Sequence, residues 1–256
     1  MLIRSVWTLT PGATVSLPKS YGLELSKLLH TRLGIEMGSE ATPSTTFSGL
    51  MGHCTASKDF ITFNPGEFYQ LSLSGLQEPS SKAIAALDLG DQLQLLGASF
   101  NILNREDEVT SYEALYHECV ASEPEPVRQF DLKFLTPTAF SQNKLYLPLP
   151  VPMLMFRSWL ERWNHFAPVY LGGNDLIGYF GEAIALSHHR IQTRSVQIHS
   201  SRISGFTGSA TLRVLTRADP LLANVAHLLT RYAGFCGTGA KTRLGMGHMF
   251  QDLPES

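Results

Sequence analysis

The same element order, β-α-β-β-α-β, can be read twice along this 256-residue chain, and it predicts an α+β protein of two tandem ferredoxin-like domains. Short segments of alternating apolar residues supply the strands, and longer segments with apolar residues three and four apart supply the helices. An acidic, proline-bearing stretch, Glu123-Pro-Glu-Pro126, separates the two runs as a linker. The expected domains are residues 1–122 and 127–256.

In the first run, residues 2–9 read as a strand through Ile3, Val6 and Trp7. Residues 21–33 read as a helix whose Tyr21, Leu25, Leu28, Leu29 and Leu33 share one face, with Gly34 as its stop. Residues 34–58, rich in Gly, Ser and Thr, read as a long loop of the kind usually kept for function. Residues 60–63 and 68–73 flank Asn64-Pro-Gly66 as a hairpin. A helix over 79–89, through Ile84 and Leu87, and a strand over 92–103 complete the run, followed by a short helix near 112–119. In the second run, 130–135 is a strand and 151–163 a helix with Met155, Trp159 and Arg162 at helical spacing. Residues 176–186 and 208–215 read as strands. Asp219-Pro220 opens a helix, acid at the N-cap and proline in the first turn, which runs to about 232 and buries Leu221, Leu222, Val225, Leu228 and Leu229. A last strand spans 247–251.

Composition narrows the function. With 43% apolar and 16% charged residues the chain has enough to pack a core and too little charge for disorder. It lacks a run of about eighteen apolar residues and a basic-then-apolar leader, so neither a membrane span nor a signal peptide is expected. Cys54, Cys119 and Cys236 are odd in number and share no C-x-x-C spacing, which speaks against a disulfide framework or a cysteine zinc site. A cytoplasmic protein without metal or cofactor is the expectation. The net charge of −2 hides an asymmetry. Residues 77–131 hold eleven Asp/Glu against three Lys/Arg, and residues 178–250 hold eight Lys/Arg against two Asp/Glu, with five histidines. A basic half beside an acidic half is a directional field suited to steering a polyanion; chance clustering of surface charge is the plain alternative.

The most distinctive stretch lies near the end, where residues 234–250 hold five glycines, one lysine and one arginine. Gly237, Gly239, Gly245 and Gly247 let backbone N–H groups crowd toward an anion, and Lys241, Thr242 and Arg243 add charge and a hydroxyl. Gly234-x-x-x-x-Gly239 followed by Ala240, Lys241 and Thr242 narrowly misses the nucleotide P-loop, because Ala240 intervenes before the lysine. The context also differs, since a P-loop precedes a helix and this stretch follows one. Glycines that merely allow close packing between domains are the other reading.

Gly237-Thr-Gly-Ala-Lys-Thr-Arg-Leu-Gly-Met-Gly247 resembles the C-terminal glycine-rich loop of CRISPR repeat endoribonucleases, which cut precursor guide RNA. Phe134-Leu-Thr-Pro-Thr-Ala-Phe140, with the Pro-Leu-Pro run and helix after it, resembles the start of their second domain. Thr46-Phe-Ser-Gly-Leu-Met-Gly52 resembles the loop after their first helix. The resemblance covers most of the chain. It implies metal-independent cleavage in which the 2′-OH of the RNA attacks the adjacent phosphate, leaving a 2′,3′-cyclic phosphate and a 5′-OH. Such a step needs a base, an acid and a cation at the phosphate; histidine suits the first two and arginine or lysine the third.

The resemblance places these groups on the first helix and the loop after it, which singles out His30, Arg32, Ser48 and His53. His30 is expected to project away from Leu25, Leu29 and Leu33, either toward substrate or simply into solvent. His53 sits in the glycine-bearing loop, presented to a backbone or bonded locally. Arg32 falls near the apolar stripe, where it snorkels past the helix end or reaches the phosphate. Ser48 either bonds the phosphate or caps a turn. His30 and His53 are expected to divide the acid–base work, with Arg32 stabilising charge. The basic tract of residues 187–202 puts Arg190, Arg194 and Arg202 on an extended hairpin. The resemblance implies that this hairpin grips the base of a repeat stem, with a solvated charged hairpin as the alternative. His117, His165, His227 and His248 read as structural. Expected partners are CRISPR repeat RNA, as a stem-loop, and CRISPR effector subunits, with no membrane. Sister subunits of the superfamily that bind RNA without cutting share the fold and the glycine loop, so two functions stay open: a repeat-cleaving endoribonuclease and an inert scaffold. The basic half speaks against a third, a small-molecule enzyme.

Overall fold

In a computed structural model, residues 1–35, 40, 42–143, 145–198 and 201–252 are described. The elements run β1 (Leu2–Pro11), β2 (Val15–Pro18), α1 (Tyr21–Leu33), β3 (Thr45–Met51), β4 (Thr55–Ala56), β5 (Phe60–Phe63), β6 (Tyr69–Gly75), α2 (Glu78–Ala85), β7 (Gln92–Leu95), β8 (Ala98–Thr110) and α3 (Tyr112–Tyr116). A π-turn, His117–Ala121, leads into the irregular Glu123-Pro-Glu-Pro126. Then come β9 (Gln129–Thr138), β10 (Phe140–Gln142), β11 (Leu145–Leu147), α4 (Pro152–Phe166), α5 (Asn174–Ala183), β12 (Ile184–Ile198), β13 (Ser201–Val214), α6 (Pro220–Cys236), a single 3-10 turn (Thr242–Leu244) and β14 (Met249–Asp252).

Two antiparallel sheets carry the molecule. The first has the strand order β3-β6-β1-β8-β7 and the second β12-β13-β9-β14. Leaving out the edge strand β7, both sheets place their first strand beside their third and fourth, with the second outside the third. That is the ferredoxin-like arrangement expected from the sequence. One core gathers α1, α2 and the first sheet around Leu25, Leu29, Phe63 and Phe100, and the other gathers α4, α6 and the second sheet around Trp159, Trp163, Phe206 and Tyr232. Tyr112 of α3 packs into the second core, edge-on to Trp163 at 5.1 Å between ring centroids, while its hydroxyl donates to Leu76 O at 2.7 Å. Leu2 and Leu76 join that core, so the halves share buried surface.

Several expectations need correcting. The supposed loop of 34–58 contains β3, the second strand of the first sheet. Its burial hides the period of two, since six of its seven residues are buried. The strands at 60–63 and 69–75 do not form a hairpin: β5 pairs with β2 and β4, and β6 with β1 and β3. Residues 176–186 are mostly helix α5, not strand. Gly178 and Gly181 obscured its helical period, yet Ile177, Phe180 and Ala183 are its buried residues. Leu221 is 57% exposed rather than buried. By contrast α1 covers residues 21–33 with Gly34 as its left-handed cap, and Asp219 accepts from Leu221 N at 2.8 Å to cap α6. His199 and Ser200 of the basic tract lie outside the described residues.

The glycine stretch is a folded turn rather than an open cradle. Thr238 N donates to Gly247 O at 2.8 Å, Gly247 N to Pro137 O at 3.0 Å, Ala240 N to Ala139 O at 2.8 Å and Gly239 N to Ser158 Oγ at 2.9 Å. A Cβ at Gly247 would lie 2.1 Å from Thr238 O, and one at Gly239 would lie 2.4 Å from Ala139 O. Both backbones are also left-handed, at φ 76°. Gly239→Ala and Gly247→Ala are each expected to cost about 3 kcal/mol or more. Gly90→Ala, left-handed at φ 72° with nothing within 4 Å of the new methyl, should cost only about 1–2 kcal/mol. Urea denaturation midpoints for the three variants check the ordering.

Candidate functional site

Helix α1 turns one face, Gly22, Ser26 and His30 at intervals of four, toward the 3-10 turn of the second half. Ser26 Oγ donates to Arg243 O at 3.1 Å, tying the helix to the glycine stretch. His30 is not the solvent-facing residue its distance from the leucine stripe suggested. It is buried at 5% exposure, because the second half covers this face of the helix. Its Nδ1 lies 2.8 Å from Ser26 O. A carbonyl only accepts, so Nδ1 carries a proton, and in the neutral form of the ring the lone pair lies on Nε2. Ser26 is the ring's only hydrogen-bond partner among the described residues. The other end of α1 is fixed by Tyr21, whose hydroxyl accepts from Leu50 N at 3.2 Å and faces Leu50 O at 3.4 Å. Burial pushes that phenol up to about 12, which makes it a strut and not an acid.

The remaining first-half candidates separate. Ser48 lies within β3, buried, and not in a loop. Its hydroxyl donates to Gly49 O at 2.7 Å and accepts from Ser72 N at 2.9 Å, closing a bulge where the β3–β6 register shifts between Phe47 and Leu50. That hydroxyl is occupied, so its phosphate role is set aside. Arg32 is exposed on another face of α1, in a groove with Glu24, Leu28 and Leu96, and does not join His30. His53 is exposed in the turn after β3, with Nδ1 3.8 Å from Glu67 Oε1, and its carbonyl accepts from Tyr69 OH at 3.0 Å.

The basic tract is the β12–β13 ribbon itself. Arg190 pairs with Ser209, Arg194 with Gly205 and Arg202 with Gln197. Alternation along the strand therefore puts Arg190 and Arg194 on one face of the ribbon and Arg202 on the other. Partial burial raises the Cys54 thiol while the Arg194 charge pulls it back, which puts Arg194 within electrostatic range of the turn that holds His53. In the glycine stretch, Lys241 is exposed, Thr242 is buried, and Gly237, Gly239, Gly245 and Gly247 all adopt positive φ.

Residues missed in the sequence hold the site together. Arg162, taken only as part of a helix period, is buried and donates from Nη2 to Gly239 O at 2.6 Å and from Nη1 to Ser158 O at 3.2 Å. Arg4 packs over the Phe235 ring at 5.7 Å and pairs with Glu108. Ser26 was findable, since it lies one helical turn before His30.

The fold and site define a class: a tandem ferredoxin-like protein with a glycine-rich turn wedged between its halves beside a buried histidine. Residues 132–249 match the family of the CRISPR-associated endoribonuclease Cas6, the same family that the sequence resembles. Two curated Cas6 endoribonucleases are similar. That of Mycobacterium tuberculosis is 36% identical over 120 residues, covering 47% of this chain and 38% of the relative. That of Streptococcus thermophilus is 32% identical over 119 residues, covering 46% and 48%. The chain thus spans less than half the length of the curated relatives it matches. Among solved structures, a Cas6 product complex superposes with a TM-score of 0.75 at 22% identity, covering 99% of this chain and 100% of that one. Thermus thermophilus Cas6 gives 0.70 at 22% identity, covering 98% of each. The fold is theirs.

Two outcomes follow from this geometry. Removing the Ser48 hydroxyl strands the buried Ser72 N–H, so Ser48→Ala should lose about 1–3 kcal/mol of stability in denaturant titration. His248 is reading as structural in a stronger sense: burial, then the Arg4 charge, drops its imidazole to about 3. Its folded pKa lies below the unfolded value near 6.5, so the unfolded state takes up the proton first as pH falls. Stability contributed by neutral His248 is complete above about 6.5 and is lost toward 3. His248→Asn should flatten the acid limb of the melting-temperature profile.

Proposed function

We propose that this chain is an endoribonuclease that cuts CRISPR repeat RNA, by attack of the 2′-OH on the adjacent phosphate, without a metal. The single observation that carries the reading is His30: a histidine on the first helix, buried against the glycine turn and oriented by Ser26 so that Nε2 is its free acceptor. Such a nitrogen suits removal of a proton from a 2′-OH. His53, exposed in the turn beside Arg194, suits delivery of a proton to the departing 5′-oxygen. The phosphate charge falls to Arg243, whose backbone Ser26 holds, in place of Arg32, which faces elsewhere. Arg190 and Arg194, on one face of the β12–β13 ribbon, suit contact with the phosphates of a repeat stem. The match to Cas6 over residues 132–249 and the shared fold support repeat RNA as the substrate. Cells that carry such an enzyme would find it in the cytoplasm, where the transcript is.

The protein is to be incubated with repeat RNA in excess EDTA. The expected result is cleavage at one position, giving a 2′,3′-cyclic phosphate and a 5′-OH, abolished by a 2′-deoxy at the scissile nucleotide. Tight binding without cleavage would replace this reading with an RNA-binding scaffold. His30→Ala and His53→Ala should each slow single-turnover cleavage on the order of a hundredfold. An unchanged rate removes that histidine from the site.

A further inference from the structure

On the α4 side of the glycine turn lies a second cleft of about 490 Å3, and His30 does not line it. Arg157, Arg162, Lys241 and Arg243 line this cleft, against two acids among the described residues, Glu40 and Glu161. Phe140 and Tyr146, from β10 and β11, add aromatic surface. Arg162 and Ser158 are occupied in holding Gly239, so they serve as the floor. Arg157 and Lys241 are different: among the described residues neither side chain makes a hydrogen bond or an ion pair.

Lys241 also sits where its backbone disfavours it. Its φ and ψ are 60° and 31°, in the left-handed region. The neighbouring left-handed positions, 237, 239, 245 and 247, are all glycine, and 241 alone among these five is not. The conformation is enforced locally, since Lys241 O accepts from Leu244 N at 2.8 Å and Met246 N at 3.4 Å. Glycine would relieve the strain. A lysine in that conformation points to a use for its ammonium group, and the cleft is where that group is available.

We infer that this cleft is a second RNA subsite, which takes an unpaired nucleotide of the same strand, its phosphodiester between Arg157 and Lys241 and its base against Tyr146 or Phe140. The inference rests on RNA being the ligand, as proposed above. An unpaired nucleotide fits better than a stem, because a base must leave its stack to lie on an aromatic ring. The cations bind the backbone without reading sequence.

The test uses the full chain and fluorescence anisotropy with two probes: repeat RNA with its unpaired flanks, and the same stem with the flanks removed. Lys241→Gly and Arg157→Ala should each weaken binding of flanked RNA about tenfold and lower the salt slope by about 1. Neither should change binding of the bare stem or the cleavage rate at saturating RNA. Lys241→Gly should keep or raise the melting temperature, which separates the lost charge from a damaged fold. Equal losses on both probes, or no loss on either, would overturn the subsite. A free nucleoside monophosphate that competes as well as the flanked RNA would overturn it in favour of a small-molecule pocket. Cleavage is read separately, so a protein that discriminates the flanks but never cuts would defeat the nuclease reading and leave the subsite standing. A wild-type chain that binds neither RNA would defeat both.

Discussion

The structure depends on the clamping of one turn from both sides. Arg162 and Ser158 of α4 hold Gly239 by its carbonyl and its N–H, and Ser26 of α1 holds the carbonyl of Arg243 four residues on. A further bond runs from Thr46 Oγ1 of β3 to Phe235 O at 2.9 Å, at the end of the helix that enters the turn. The relative placement of the two sheets near the site is thus written into a few backbone carbonyls. Because the groups held in the turn are main-chain atoms, they impose shape where side chains supply charge. Gly239 and Gly247 serve this clamp first: their N–H groups bond within the protein, and their missing Cβ atoms let Ala139 and Thr238 approach.

From the same clamp comes the setting of His30. A histidine on an isolated helix face would be solvated and free to turn. Covered by the turn and bonded to Ser26 O, its ring is fixed in one tautomer with one orientation. The bond from Ser26 to Arg243 makes ring and turn parts of one contact. The two candidate histidines differ in setting: His30 is buried and held, and His53 is exposed.

How much of this was legible depends on where the physical signal lies. Helix α1 announced itself through Tyr21, Leu25 and Leu29 and its glycine stop, and α6 through Asp219-Pro220, because caps and periodicity are local. Strand β3 did not, since burial on both faces removes the alternation that marks a strand. Helix α5 was misread through its glycines. At the site, sequence named His30 and the glycine turn but placed His30 outward, because the surface that buries it comes from 213 residues further along the chain, at Arg243. Ser48 was named for a hydroxyl that a β-bulge already uses. Arg32, two residues from His30, points some 200° around the helix at about 100° per residue, and so cannot share its site.

The most direct test of the account is the tautomer of His30, read by 15N NMR of the histidine-labelled protein at a pH where the ring is neutral. The account requires a protonated Nδ1 and a bare Nε2, with Nε2 shifting when repeat RNA carrying a 2′-deoxy block is added. A neutral ring protonated on Nε2, or one that averages between tautomers, would contradict it.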